Sequence, residues 1–286
     1  MAGPGPITAF THARPEETDE ALGQLCALAA ADGLLVRLDP EETRKHPAVA
    51  AGDGAEPDAP IDPGSSLAIA LGGDGTVLRA LREFAGSSVP VYGVNFGEIG
   101  FLAASARDAV PESFSDALSG NFERLAMPAI RVASGTGEFA AFNDVALTRR
   151  AGDRVAELAY SVAGEEVGRV RSDGIVVATP AGSTGYNLAN GGPVMAWGVE
   201  GFVVSFIAPH SLTARALVVA PDDQLRIQNR SVDPVELSID GRPVAEVSPG
   251  EEITASFAPD MAVLALPEQS SFYRRLRDTF GRLSSS

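Results

Sequence analysis

"SLAIALGGDGTVLRA", residues 66–80, decides how the first half of the chain folds. Leu67 to Leu71 form an uninterrupted apolar run, the pattern of a strand buried on both faces, and from Thr76 to Phe84 the apolar residues return at helical spacing. A buried strand that turns through small residues into a helix is the building unit of a parallel α/β sheet. In such sheets ligands bind beyond the carboxyl ends of the strands, where Gly72, Gly73, Asp74, Gly75 and Thr76 fall. Glycine lets backbone N–H groups face phosphate oxygens, and the following helix adds a partial positive charge. Gly and Asp are also ordinary turn residues, and the spacing matches neither G-x-x-x-x-G-K-[ST] nor G-x-G-x-x-G. On this stretch alone a phosphate loop and a plain turn both stand.

Outward from the loop, "ITAFTH" reads as a first strand, "RPEETDEALGQLCALAAADG" as a helix closed by glycine, and "LLVRLD" as a second strand. Pro40 to Ser65 is dense in Gly, Pro and Asp and is expected to be an exposed, mobile loop with little function of its own. On the other side come the strand "VPVYGVN" and a helix over Ala109–Leu118. This alternation predicts an α/β domain with a parallel sheet over residues 1–125. After Asn121 the pattern changes to short β-rich segments, among them "AIRVAS", "VAELAYSVAG", "GFVVSFIAP", "QLRIQN" and "VELSID", broken by Gly, Asp and Pro. Strands spaced this closely predict an antiparallel, sandwich-like β-rich domain over 126–265. In the tail, Phe272, Leu276 and Phe280 repeat every four residues, so 266–286 is expected to return as a helix to the first domain, its arginines on a solvated face.

Composition narrows the function. With 22 basic against 38 acidic residues the formal charge is −16, which repels nucleic acid and anionic membrane, so a bound anion needs a local site. Cys26 is the one cysteine, which excludes an intramolecular disulfide and a cysteine-based zinc site, and its alanine-rich helical setting predicts burial. The start "MAGPGPITAF" lacks a basic-then-apolar export pattern, and no run approaches about 18 apolar residues, so a cytoplasmic protein is expected.

A second motif, "RSDGIVVATPAGSTGYNLANGGP" at residues 171–193, adds to the first. Asp173-Gly174 suits a turn, "IVVAT" a buried strand, and "PAGSTGY" a second small-residue loop with hydroxyls at Ser183 and Thr184. Tyr186 offers an aromatic face with a polar tip for stacking on a base or nicotinamide ring. Ser183 is not in a G-x-S-x-G nucleophile elbow, and three histidines leave little material for a metal or triad site.

With both loops read, the chain resembles the NAD kinase family over residues 66–265. The matching stretches, in family order, are "LGGDGTVLRA", "VYGVNFGEIGFLA", "FNDVAL", "RSDGIVVATPAGSTGYNLANGGPV", "PHSLTARALVV" and "SIDGRPV". GGDGT alone is shared with lipid kinases of the diacylglycerol type and more loosely with phosphofructokinases; the ordered combination is far more specific. The resemblance implies phosphoryl transfer from ATP, or inorganic polyphosphate, to the 2′-hydroxyl of the adenosine ribose of NAD, giving NADP. It also implies a divalent metal, usually magnesium, and a homodimer or homotetramer whose sites are completed across subunits.

The resemblance assigns Asp74 as the catalytic base, within the phosphate loop of Gly72, Gly73, Gly75 and Thr76, where Thr76 suits a helix cap better than catalysis. Asn143 and Asp144 match the family's Asn-acidic pair for the nucleotide. Asp173, Thr184, Gly185 and Tyr186 match further NAD contacts, with Asn187, Leu188 and Ala189 in the same segment and the last two equally suited to packing. Arg79, Arg154, Arg171 and Arg242 are candidates to neutralise phosphates, each with a plain surface role as its alternative. His210 matches a family histidine near the site, where a hydrogen-bonded, positioning role is expected. Three departures stand out: Asp144 replaces the usual Glu, Gly185 the usual Ala, and Glu98 a common basic residue.

Overall fold

The computed structural model describes residues 5–96, 100–103, 110–268 and 270–281, and the expectation for Glu98 lies outside them. The chain divides into two compact units, Met1–Ala126 with Met261–Ser286, and Met127–Asp260.

The first unit is α/β. Its elements are β1 (Ile7–Thr11), α1 (Asp19–Ala31), β2 (Val36–Arg37), α2 (Pro40–Lys45), α3 (Pro47–Ala50), β3 (Ala55–Glu56), β4 (Leu67–Leu71), α4 (Asp74–Glu83), β5 (Pro90–Val94) and α5 (Val110–Ser119). The strands are parallel, in the order β5-β4-β1-β2-β3. From β1 the chain builds outward to β2 and β3 on one side, then returns to place β4 and β5 on the other. β1 and β4 are therefore the neighbours at which the winding direction reverses, and the crevice beyond their carboxyl ends is the site such a sheet offers a ligand. Every residue of β1, β4 and β5 is buried, as the continuous apolar runs require. Helix α1 buries Ala21, Leu22, Leu25, Cys26 and Ala29 at helical spacing against this sheet, and burial pushes the Cys26 thiol up to about 11.

One expectation fails here. Pro40 to Ser65 is an ordered part of the unit, carrying α2, α3 and β3. Asp39 caps α2 by accepting from the Glu41 and Glu42 amides, Pro40 occupies a first-turn position, and Glu42 and His46 are wholly buried. Pro40 and Pro47, read as loop formers, here open α2 and α3, and Asp39, read as the end of a strand, caps the first of them.

The remaining elements are β6 (Phe122–Ser134), β7 (Gly137–Ala141), β8 (Asp144–Arg149), β9 (Ala156–Val162), β10 (Glu165–Ser172), β11 (Gly174–Ala178), α6 (Tyr186–Ala189), β12 (Phe202–Ile207), β13 (Leu217–Val219), β14 (Leu225–Asn229), β15 (Val235–Ile239), β16 (Arg242–Val247), β17 (Glu252–Pro267) and α7 (Phe272–Phe280). In the second unit one antiparallel sheet runs β13-β12-β11-β8-β15-β16, and a second joins β10, β9, β14 and the start of β17. Leu147, Ile175 and Val177 of the former share a core with Leu158, Ile227 and Ile253 of the latter, so the unit is a two-layer β structure. The end of β17 belongs to the first unit, where Val263–Ala265 pair parallel with β5, and α7 packs there through Phe272 and Phe280 against Phe101.

Candidate active site

In the α/β unit the glycine loop is shorter than expected. Gly73 is the N-cap of α4, so Asp74 and Gly75 already occupy its first turn, and Thr76 sits inside the helix rather than capping it. Among the described residues no side chain caps α4, and the first-turn N–H groups of a helix favour an anionic acceptor. The three glycines differ in their reasons. A Cβ on Gly72 would lie 2.2 Å from Thr76 Oγ1, whereas one on Gly73 or Gly75 would meet none of the described residues within 4 Å. Packing requires the first, whereas the other two leave the backbone of the α4 N-terminus uncovered by any side chain of their own.

The Asp74 side chain does not hang free. One oxygen accepts from the Phe101 amide at 2.7 Å, and the other from the amides of Leu102 and Ala103 at 2.9 and 3.1 Å. Gly100 makes room for this, since a Cβ there would stand 2.2 Å from the carboxylate. These contacts fix the carboxylate's direction at the carboxyl end of β4.

Arg79 goes elsewhere. Its guanidinium donates to Glu41, to the buried Glu42 and to the Thr11 carbonyl, and lies over the Phe10 ring. Thr11 Oγ1 also donates to Glu42 and meets His46 Nε2 at 2.8 Å, while His46 Nδ1 meets Asp19. Arg79 therefore serves a buried polar network at the end of β1, and the phosphate role expected for it does not fit these partners.

In the β unit Asn143 and Asp144 open β8 beside a two-residue hairpin, Asp240-Gly241, whose φ angles of 47° and 74° both lie in the left-handed region that Asp and Gly tolerate. The Asp240 carboxylate accepts from the amides of Phe142, Asn143 and Asp144. The second small-residue loop is laced to the same place: Thr179 Oγ1 donates to the Phe142 carbonyl, the Gly182 amide donates to Thr179 Oγ1, and the Thr179 amide donates to the Asn143 carbonyl. A Cβ on Gly182 would come within 2.0 Å of the Asn143 carbonyl oxygen. Asp144 is 8% exposed, and burial, with the neighbouring Asp240 charge adding to it, pushes its carboxyl up to about 7.

Around this pair stand the other expected residues. Tyr186, 41% exposed, opens α6, and its hydroxyl is pushed up by burial and by the charges of Asp144 and Asp173. Asp173 is held below the ordinary carboxylate range, first by its hydrogen bond from Arg149. Arg149 went unnoticed in the sequence because nothing local links it to Asp173. His210 is exposed; its amide donates to the Arg171 carbonyl, and its ring acts electrostatically on Asp173. Thr184 donates to the Ala181 carbonyl, and Gly185 is exposed. Asn187 is buried, with its amide nitrogen donating to the Ser183 and Pro193 carbonyls, so it shapes the loop from within. Leu188 is half-buried, while Ala189, Arg154, Arg171 and Arg242 are exposed.

Two independent family models match this chain: the ATP-NAD kinase N-terminal domain over residues 42–122 and the ATP-NAD kinase C-terminal domain over residues 142–265. The chain belongs to the NAD kinase family. The N-terminal match begins inside the segment first read as a loop, in agreement with its ordered structure. Among relatives in the NAD kinase family, the NAD kinase of Nitrosomonas europaea is 34% identical over 222 residues, covering 76% of this chain and 75% of the relative. That of Symbiobacterium thermophilum is 37% identical over 243 residues, covering 81% and 86%. The fold is similar to the crystal structure of yeast NADH kinase complexed with NADH, with a TM-score of 0.85 at 22% identity, over 100% of this chain and 90% of that one. Among the described residues no three His, Cys, Asp or Glu side chains converge as a metal site, and no helix is long and apolar enough to cross a membrane.

Proposed function

We propose that Asp74 is the base in the ATP-dependent phosphorylation of NAD to NADP that this family carries out. The observation that supports this most is the carboxylate of Asp74, oriented by three backbone N–H groups beside two glycines that carry no side chain to cover the start of α4. In the reaction the 2′-oxygen of the adenosine ribose bonds to the γ-phosphorus of ATP, the bond to the β–γ bridging oxygen breaks, ADP leaves, and the hydroxyl proton passes to Asp74. Phosphoryl transfer of this kind depends mainly on positioning and charge neutralisation, so a weak base suffices.

The uncapped N-terminus of α4 with Gly72, Gly73 and Gly75 would receive phosphate oxygens. Asn143 and Asp144 would hold the ribose and adenine, Tyr186 would stack on a ring, and Asp173, Thr184 and Gly185 would contact the rest of the dinucleotide. Arg154, Arg171 and Arg242, exposed, would meet phosphates, and His210 would position the Asp173 side of the site. Magnesium would accompany ATP as the MgATP complex that is the substrate. The same reading brings a cytoplasmic homodimer or homotetramer with sites completed across subunits.

The test offers ATP and polyphosphate separately, with magnesium and with NAD or NADH, to the wild type and to Asp74→Asn. Turnover of NAD by the wild type, with loss of most activity but retained NAD binding in the variant, is the expected result. Wild-type turnover in Asp74→Asn would overturn the role of Asp74.

A further inference from the structure

Three backbone amides aim the Asp74 carboxylate, and the stretch that carries them is itself gripped from the other side. Arg275 of α7 donates through Nη1 to the Phe101 carbonyl at 3.0 Å and to the Ala103 carbonyl at 2.7 Å, while Nη2 donates to Ser270 Oγ at 2.9 Å. The Phe101 ring packs against Phe272 and Phe280, with centroids 6.2 and 5.6 Å away. Residues 101–103 thus have their N–H groups on the carboxylate and two of their carbonyls on one guanidinium. This differs from the solvated face expected for the tail arginines. Burial lowers the Arg275 pKa and the Asp74 charge opposes the shift, as their placement on either side of one short segment requires.

We propose that Arg275 is a positioning residue for phosphoryl transfer: by fixing the carbonyls of Phe101 and Ala103, it fixes the amides that aim Asp74. The inference rests on Asp74 being the base. A guanidinium offers several donors in a rigid plane and can hold two carbonyls while bonding a third acceptor, which a lysine ammonium on a flexible stem does less well. Without it the segment keeps its aromatic contacts but loses the polar grip that sets its backbone orientation, and small misplacements of reacting groups cost large factors in rate.

The experiment uses the full chain as wild type, Arg275→Met, Arg275→Lys, Asp74→Asn and the double variant Asp74→Asn/Arg275→Met. It reads kcat, KM for NAD and amide hydrogen exchange at Phe101, Leu102 and Ala103. Arg275→Met is expected to lower kcat by about ten- to a hundredfold, with KM for NAD changed by less than about twofold and faster exchange at the three amides. Arg275→Lys should recover part of the loss. In the Asp74→Asn background the same change should lower kcat no further, because the two residues act through one carboxylate. Wild-type kcat in Arg275→Met alongside a disabled Asp74→Asn, or full additivity in the double variant, overturns the inference. Wild-type kcat in Asp74→Asn overturns instead the reading on which it rests. Should Arg275→Met fail to fold, Arg275→Lys decides: lower kcat at unchanged KM supports the inference, and wild-type kcat refutes it.

Discussion

Asp144 makes the stability of the β unit depend on pH, and Asp144→Asn should remove that dependence. The carboxyl is buried and its pKa stands at about 7 against an ordinary 3.8, with burial as the main cause and Asp240 as the second. A raised carboxyl pKa means that the folded state holds its proton while the unfolded chain has already released it. The associated stability is therefore complete below about pH 4, falls as the pH climbs, and is gone once the pH has passed through about 7. At 1.36 kcal/mol per pKa unit the whole loss amounts to about 4 kcal/mol. Asparagine has nearly the same shape and keeps a donor like the protonated acid, but it does not titrate. Urea unfolding of both proteins at pH 4, 5, 6, 7 and 8 checks this, following the transition of the unit that carries Asp144. The stability difference between variant and wild type should shift in the variant's favour by about 4 kcal/mol across the series, with the slope concentrated between the two pKa values. A difference that stays level within about 1 kcal/mol would refute the reasoning, since it would mean that Asp144 ionises as readily when folded as when unfolded.

Gly100→Ala places a Cβ 2.2 Å from the Asp74 carboxylate, so the side chain or the 100–103 backbone must move. Steady-state assays should show kcat down by about a hundredfold, with a smaller change in KM for NAD. Arg79→Met leaves the buried Glu42 without its guanidinium and should destabilise the protein by about 3 kcal/mol in chemical denaturation. Its kcat at a temperature where it is folded should stay near wild type, which separates the structural role found for Arg79 from the phosphate contact first expected of it.

These residues show where sequence reading stops. Local patterns determined the strand-turn-helix around Gly72–Asp74, the change from alternating α and β to closely spaced strands after Asn121, and the burial of Cys26. Each is set by periodicity or turn chemistry within a few residues, so the pattern carries the information. The order of the motifs carried the family in the same way. Pro40–Ser65 reads as a loop because proline opens helices as well as loops, as Pro40 and Pro47 do, and the choice between the two fell to the burial of Glu42 and His46.

Only the tertiary structure decided what each charged group faces. Arg79 and Arg275 look alike in the sequence, as arginines on helices with apolar spacing. One is turned to acids 37 and 38 residues away, and the other to carbonyls 174 and 172 residues away. The rise of the Asp144 carboxyl to about 7 needs both its burial and an aspartate that the hairpin after β15 brings alongside it. Pairings of this kind depend on how the sheets close around their cores, and no periodicity along the chain encodes them. The sequence alone therefore determined which residue types and local shapes are present, and folding determined which of them hold one another in place.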